Sequence, residues 1–305
     1  MKKLFIIGNG FDLHHKLPTR VDNFIEILEQ KDVNEYYLTA EVDWSDYEES
    51  LSYFNLESMA EEFLGYPDYL SDHEYDRDGV IFTMEQIMSE MQDVVKESLV
   101  EMIENAEQTI EDILEDYTFP SSENKAFTNN SIFITFNYTS TLENIYNLNE
   151  ENNILHIHGF VDNDQEFVFG YSEHDDEVLK SFVKQGVAVS GYKQRDYDED
   201  DIPDYYVHKQ YEEMYSFYSS NKKLLRLQEL VNFLSAYTED DIEEVIVLGH
   251  SMGNVDKPYF DLIDKIINPK KWIISQYDNS PNNKDLEKYT FVNKVTFCNI
   301  TDYLI

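Results

Sequence analysis

The chain opens with Leu4-Phe5-Ile6-Ile7-Gly8-Asn9-Gly10-Phe11-Asp12-Leu13, an apolar run that leads directly into a turn with two glycines. The residues before Gly8 show no alternation of polar and apolar side chains, which is typical of a strand covered on both faces of a parallel sheet. A second run of this kind, Val245-Ile246-Val247-Leu248, leads into Gly249. Parallel strands need crossover connections, usually helices, so these two stretches predict an α/β fold.

Other short apolar runs rich in β-branched residues predict the remaining strands. They lie at 132–136, 154–157, 167–169, 272–274 and 292–297. The fold class expected from this pattern is α/β, with a Rossmann-like parallel sheet that carries helical insertions.

Helical spacing fills the two long intervals between the strands. Apolar residues recur three or four positions apart from Met84 to Ile113, which predicts a long amphipathic helix. We expect it to break near Asn105 and to end at 119–122, where a proline stands. A second helical stretch covers 224–234.

The predicted division of the chain follows from these intervals. A Rossmann-like nucleotide-binding core is expected from three segments, with a helical insertion after the first and an acidic helical insertion after the second. The core segments are 1–40, 128–171 and 240–305, and the insertions are 41–127 and 172–239.

Acidic residues dominate the composition: the 305 residues include 62 acidic and 23 basic side chains, for a formal net charge of −39. Phosphate-binding proteins cluster Lys and Arg, whereas the basic residues here stand singly or in pairs, which argues against direct nucleic-acid binding and attachment to anionic membranes. The single cysteine, Cys298, cannot form an internal disulfide, and no run approaches a span of about 20 apolar residues. We therefore expect a folded cytoplasmic protein.

The turn after the first strand holds the first candidate site. Gly8 and Gly10 can let the backbone approach a phosphate, with Asn9 and Asp12 beside them. The third glycine of the dinucleotide-binding fingerprint is replaced by Leu13. A phosphate-binding turn and an ordinary tight turn both remain open.

Asn137 follows the strand predicted at 132–136. Its amide is a candidate to hold a water or a ribose hydroxyl. The alternative is that Asn137 caps the helix predicted to begin near Ser140.

Two histidines mark the third strand end, in His156-Ile157-His158-Gly159. Because side chains alternate along a strand, both imidazoles are expected on one face. A metal site would need further ligands, for which His174-Asp175-Asp176 is the nearby candidate, and we expect no metal. We interpret His156 as a core residue and His158 as a general base.

The fourth motif, Gly249-His250-Ser251-Met252-Gly253, has the G-x-S-x-G pattern of the nucleophile elbow in α/β hydrolases. That fold supplies its catalytic histidine after the serine, and no histidine follows His250. A serine esterase built on Ser251 is therefore the weaker alternative.

All four motifs lie at strand ends, and ligands of open α/β sheets bind beyond the carboxyl ends of the strands. We therefore predict one cleft that gathers Gly8, Asn137, His158 and Ser251. Asp12 and Asp256 are candidates to stabilise positive charge or orient a ribose hydroxyl, although a helix cap is the simpler role for each.

These motifs, in this order, resemble the AbiH family of bacterial phage abortive-infection proteins. The likeness covers most of the chain. It rests on 6–13, 135–139, 156–159 and 249–253 with Asp256, and it extends to Trp44 and Glu48.

More remotely, the succession is similar to the sirtuin-like domains of antiphage NADases. This similarity implies a sirtuin-like core that binds or hydrolyses NAD or a related nucleotide. It implies catalytic roles for Asn137 and His158 and nucleotide binding at the glycine turn and at the late turn. The candidate nucleotide-binding residues are Gly8, Asn9, Gly10, Asp12, Gly249, Ser251 and Asp256.

The expected partners are a nucleotide and a phage or host protein that triggers the response; self-association is left open. A second class of function is a non-catalytic module that senses a nucleotide or binds a protein. In that case the acidic segment 196–204 would engage a basic partner.

Overall fold

The computed structural model describes residues 2–31, 51–116, 127, 130–148, 153–161, 167–193, 204–238, 241–276 and 286–304. A six-stranded sheet organises it, and each pair of neighbouring strands is parallel. This sheet confirms the predicted α/β, Rossmann-like fold class. Its strands are β1 Lys2–Ile7, β2 Ser131–Thr135, β3 Ile154–His156, β4 Ile242–Leu248, β5 Lys271–Gln276 and β6 Val295–Asn299.

The spatial order of the strands is β3-β2-β1-β4-β5-β6. β1 therefore lies inside the sheet, between β2 and β4. Its side chains enter two separate cores, with Leu4 and Ile6 on one face and Phe5 and Ile7 on the other. The strand order reverses between β1 and β4, and in sheets of this order ligands bind across the carboxyl ends of the strands at the reversal.

In the described parts of the chain, helices lie between the strands. The helical stretch predicted at 224–234 forms one of them, from Leu227 to Leu234. They are α1 Asn9–His14, α2 Val21–Gln30, α3 Leu56–Phe63, α4 Glu74–Asp116, α5 Thr141–Asn144, α6 Asp176–Lys184, α7 Tyr205–Ser220, α8 Leu227–Leu234 and α9 Lys257–Ile267, with short 3-10 helices at Val292–Lys294 and Ile300–Asp302.

The long helix expected from the apolar spacing is α4, which runs for 43 residues. The break predicted near Asn105 is wrong, because α4 continues through this exposed residue. Asn lowers helix stability only modestly, and the buried Ile103 and Ala106 beside it are anchored by packing. The predicted stop at 119–122 lies outside the described residues.

The strand predicted at 167–169 is also wrong, since these residues form no strand. The N–H of Val168 donates to the carbonyl of His158, and its carbonyl accepts from the Tyr138 hydroxyl. Both backbone groups are satisfied by loops, so no ladder forms there. In the run at 292–297, only the part from Val295 onward belongs to a strand.

The chain divides into two compact units. Unit 1 contains the whole sheet and comprises Met1–Asn23, Glu101–Val168 and Leu224–Ile305. Unit 2 comprises Phe24–Val100 and Phe169–Lys223, and its core is aromatic. Within unit 2 the rings of Phe54, Phe182 and Tyr218 pack within about 6 Å of one another.

The domain limits given by the sequence stay a prediction. Most of the acidic segment 196–204 lies outside the described residues; Asp204 is described and caps α7. Among the described helices, none combines the length and the apolar character needed to cross a membrane.

Candidate functional site

The predicted site residues follow the carboxyl ends of four neighbouring strands of unit 1. Gly8 and Gly249 come directly after β1 and β4, and Asn137 and His158 come two residues after β2 and β3. Since these strands are adjacent and parallel, the four ends lie side by side along one edge of the sheet.

The glycine turn packs backbone to backbone against the turn after β4. A Cβ on Gly8 would lie 2.6 Å from Cα of His250, and one on Gly10 would lie 2.8 Å from Cα of Gly249. Gly249 has a φ of +69°, and a Cβ there would lie 2.2 Å from the nitrogen of Phe11. The N–H groups of Gly8, Gly10 and Phe11 all donate to protein carbonyls. Close packing of the two turns therefore accounts for these glycines.

Asp12 anchors a buried group of polar side chains, which we call the Asp12 cluster (Asp12, Asn137, Thr139 and Thr141). The Asp12 side chain is 1% exposed, and its two carboxylate oxygens accept from the hydroxyls of Thr139 and Thr141, both at 2.7 Å. Burial raises the pKa of Asp12 to about 6, although the hydrogen bonds from the two hydroxyls and from the Asn137 amide oppose this rise. Asp12 is thus not a helix cap: it ties α1 to the loop after β2.

Asn137 connects the Asp12 cluster to the glycine turn. Its side chain donates through Nδ2 to the carbonyl of Gly8 at 3.2 Å, and it also acts to lower the pKa of Asp12. The alternative that it caps the following helix is wrong, because Ser140 holds the N-cap position of α5. With Nδ2 bonded to Gly8, its Oδ1 is the group left to accept from a ligand.

Asp256 forms the second group, which we call the Asp256 cluster (His158, His250 and Asp256). Its Oδ1 lies 3.3 Å from Nε2 of His158, and its Oδ2 lies 3.3 Å from Nε2 of His250. The side chain makes no cap hydrogen bond, so the cap interpretation is wrong for Asp256 as well. Both are ion-pair contacts between a carboxylate oxygen and a ring nitrogen, so one carboxylate lies between two imidazoles.

Aromatic rings surround the Asp256 cluster. The edge-to-face neighbour of both imidazoles is Phe136, whose ring centre lies 4.4 Å from that of His250 and 4.9 Å from that of His158. Phe260 packs 5.0 Å from His250. Rings of this kind exclude water and strengthen the electrostatic contacts that they enclose.

A continuous series of contacts joins the two clusters. Asn137 bonds Gly8, Gly8 packs on the backbone of His250, and Asp256 bridges His250 to His158. The fold therefore brings together seven of the nine predicted site residues: Gly8, Gly10, Asp12, Asn137, His158, Gly249 and Asp256.

A family model described as bacteriophage abortive infection AbiH matches residues 4–277. The chain belongs to the AbiH family. No curated protein and no solved structure matches it. The family supports a role in abortive infection by bacteriophage, while the more remote similarity to sirtuin-like NADases stays a prediction from the motifs.

Two of the predicted residues of this AbiH-family chain stand apart from the clusters. Ser251 is exposed, and no hydrogen bond joins it to a histidine in the described parts of the chain. Asn9 is also exposed, and its amide donates to the carbonyl of Thr19 at 2.6 Å. The geometry therefore supplies no Ser-His pair for an esterase at Ser251.

His156 has surroundings different from those of His158. Its Nε2 lies 2.8 Å from Oε1 of Glu143, and its ring packs on Phe160 with centres 4.1 Å apart. β3 ends at His156, so the alternation that should place both imidazoles on one face does not extend to His158. Within the described residues, no group of three or more His, Cys, Asp or Glu side chains could hold a metal ion.

The structure adds His250, Thr139 and Thr141 to the site residues inferred from the AbiH-family sequence. His250 follows a strand directly after a glycine, the position occupied by the other candidates, and this is the signal that could have found it. Thr139 and Thr141 carry no comparable signal, because their partner Asp12 is more than 120 positions away along the chain.

Proposed function

We propose that this AbiH-family protein acts in abortive infection by hydrolysing NAD or a related nucleotide at the carboxyl edge of its sheet. The observation that carries the proposal is the buried Asp256 carboxylate, which holds His158 in place at the edge that also carries Asn137. This edge includes the reversal of strand order between β1 and β4, where Rossmann-like sheets bind dinucleotides.

His158 is suited to act as the general base. Because its Nε2 faces Asp256, the proton of the neutral imidazole resides on Nε2 and Nδ1 carries the lone pair. A carboxylate behind an imidazole also stabilises the imidazolium that forms when the base accepts a proton.

Asn137 is suited to position the water or the ribose. Its amide donates to the carbonyl of Gly8, which orients the side chain from within the protein. Its Oδ1 can accept a hydrogen bond from a water or from a ribose hydroxyl.

The proposed reaction is hydrolysis of the glycosidic bond between ribose and nicotinamide. The water oxygen forms a bond to C1′, the bond from C1′ to the ring nitrogen breaks, and that electron pair leaves with neutral nicotinamide. His158 takes the proton of the water. Orienting the water and the ribose lowers the entropic part of the barrier.

Few of the first amides of α1 remain for binding a pyrophosphate. The N–H groups of Gly8, Gly10 and Phe11 are already used, and the chain carries a net charge of −39. We therefore expect a weak affinity for the free nucleotide, with turnover dependent on a phage or host trigger.

The test measures nicotinamide release from NAD by purified protein, alone and with phage lysate. Wild type should release nicotinamide, and Asn137→Ala and His158→Ala should each lose at least about tenfold in rate, since general-base and positioning contributions are typically larger than this. His73→Ala, which removes an exposed histidine of unit 2, is the matched control.

The same variants are compared for protection of cells against phage. Loss of protection together with loss of hydrolysis supports the enzyme, whereas protection that persists in both site variants contradicts it. Nucleotide binding without turnover under any condition would point to the sensing module instead. Ser251→Ala should keep both activities if no esterase is involved.

A further inference from the structure

We propose that His250 is a positioning residue for His158, acting through the Asp256 carboxylate. The catalytic role of His250 rests on the proposed function. Its effect on the placement of His158 rests only on the geometry of the Asp256 cluster. The three side chains come from the ends of β3 and β4 and from the residue that precedes α9.

The protonation of His250 is set by its own loop. The backbone N–H of Met252 donates to Nδ1 of His250 at 2.8 Å, so Nδ1 must be the unprotonated nitrogen. The remaining ring proton is on Nε2, which faces Oδ2 of Asp256 at 3.3 Å. His250 is therefore a neutral imidazole that presents a donor to the carboxylate.

The loop that presents this donor is held in an unusual conformation. Met252 is buried and has a φ of +57°, in the left-handed region that non-glycine residues seldom adopt. Strained backbone of this kind is concentrated at functional sites. Gly8 leaves room for the His250 backbone, because a Cβ on Gly8 would come within 2.6 Å of it.

An imidazole beside each oxygen restricts how the Asp256 carboxylate can turn. With Oδ2 occupied by His250, Oδ1 stays directed at His158, which keeps the proton of His158 on Nε2 and the lone pair on Nδ1. Tyr289 also lies close to Asp256; burial and the nearby carboxylates raise its pKa, so it stays neutral. His250 thus fixes which nitrogen of His158 can act as the base.

Two substitutions separate the hydrogen bond that His250 accepts from Met252 from its contact with Asp256. In His250→Gln the side-chain NH2 reaches the position of Nε2 and can still donate to Asp256. In His250→Asn the side-chain oxygen takes the place of Nδ1 and can still accept from Met252, but the donor to Asp256 is lost. Both variants are polar and smaller than or similar to histidine, so they form a matched pair.

The first readout is the tautomer of His158, followed by NMR of ¹⁵N-labelled imidazoles in the full-length protein and assigned with His158→Gln. We expect a single Nε2–H tautomer in wild type and in His250→Gln, and a mixture of tautomers in His250→Asn. This readout needs no turnover, so it decides the positioning role even if NAD is not hydrolysed.

The second readout is the rate of nicotinamide release. We expect kcat of His250→Asn to fall by about tenfold to a hundredfold with KM unchanged, and His250→Gln to recover most of the loss. Identical tautomers of His158 in both variants would overturn the proposal. So would a loss of rate that is equal in the two variants.

Discussion

The Asp12 cluster and the Asp256 cluster each bury one carboxylate at the same edge of the sheet, but they surround it with different donors. Asp12 accepts from two threonine hydroxyls, and burial raises its pKa to about 6. Asp256 lies between two imidazoles. A hydroxyl can stabilise a carboxylate but cannot take up a proton near neutrality, whereas an imidazole can.

Under the proposed function, the two clusters differ in whether the group beside the carboxylate can take up a proton. In the Asp256 cluster a proton arriving on His158 stays beside a carboxylate, so the imidazolium is stabilised where it forms. In the Asp12 cluster the same fold uses hydroxyls and an amide to connect α1 to the loop after β2. We therefore interpret the Asp12 cluster as the support and the Asp256 cluster as the reacting centre.

Asp256→Ala should have the largest effect on stability. It removes the carboxylate that lies between two buried imidazoles, and removing one partner of a buried ion pair costs about 3–5 kcal/mol, so we expect a loss of about 4 kcal/mol in the free energy of unfolding. Urea unfolding measures it. The control is Glu243→Gln, which breaks an exposed ion pair with Lys270 and should cost no more than about 1 kcal/mol. Equal losses in the two variants would show that Asp256 contributes no more to stability than an exposed ion pair does.

Asp12→Asn should change how stability depends on pH. The folded protein binds a proton at Asp12 with a pKa of about 6, above the ordinary value of 3.8, so the contribution of this group is fully present below about pH 4 and is lost as the pH rises through about 6. The difference between these values corresponds to about 3 kcal/mol. Asparagine does not titrate in this range.

The measurement compares urea unfolding of wild type and Asp12→Asn between about pH 4 and pH 7. The stability of wild type should fall relative to that of the variant across this window, because all other carboxyl groups are common to both chains. Parallel curves would show that Asp12 titrates normally, and this part of the contrast with the Asp256 cluster would be lost.

Thr141→Val should have the smallest effect of the three. It deletes one hydroxyl donor to Asp12 and leaves the Thr139 hydroxyl in place, so we expect a loss of about 1 kcal/mol. Thr109→Val on α4 is the control, because its hydroxyl bonds only the preceding turn of its own helix and its removal should stay within about 0.5 kcal/mol of wild type. A loss as large as that of Asp256→Ala would show that hydroxyl and imidazole donors are equivalent here.

Several parts of the fold could be predicted because their signals are local. The apolar, non-alternating runs of β1 and β4 predicted buried parallel strands, and the spacing from Met84 to Ile113 predicted α4. The errors arose where tertiary contacts outweigh local preference. Asn105 does not break α4, because packing of neighbouring residues holds the helix, and Val168 forms no strand, because its backbone groups are satisfied by His158 and Tyr138.

The position of the candidate site could be predicted, but the contacts between its side chains could not. The strand ends identified Gly8, Asn137 and His158, because any residue after a parallel strand reaches the same edge of the sheet. Asp12 and Asp256 were assigned helix caps as the simpler role, since a carboxylate near a helix start usually caps it. No site role was predicted for His250, which served only to argue against an esterase at Ser251.

The sequence alone determined the parallel sheet, the chain order of the four motifs and membership of the AbiH family, because each depends on patterns within a few neighbouring residues. Only the tertiary structure decided which donor each buried carboxylate receives. Asp12 meets Thr139 across 127 positions of the chain, and Asp256 meets two imidazoles from different strand ends. Such contacts depend on how loops pack on one another, and no local periodicity encodes that packing.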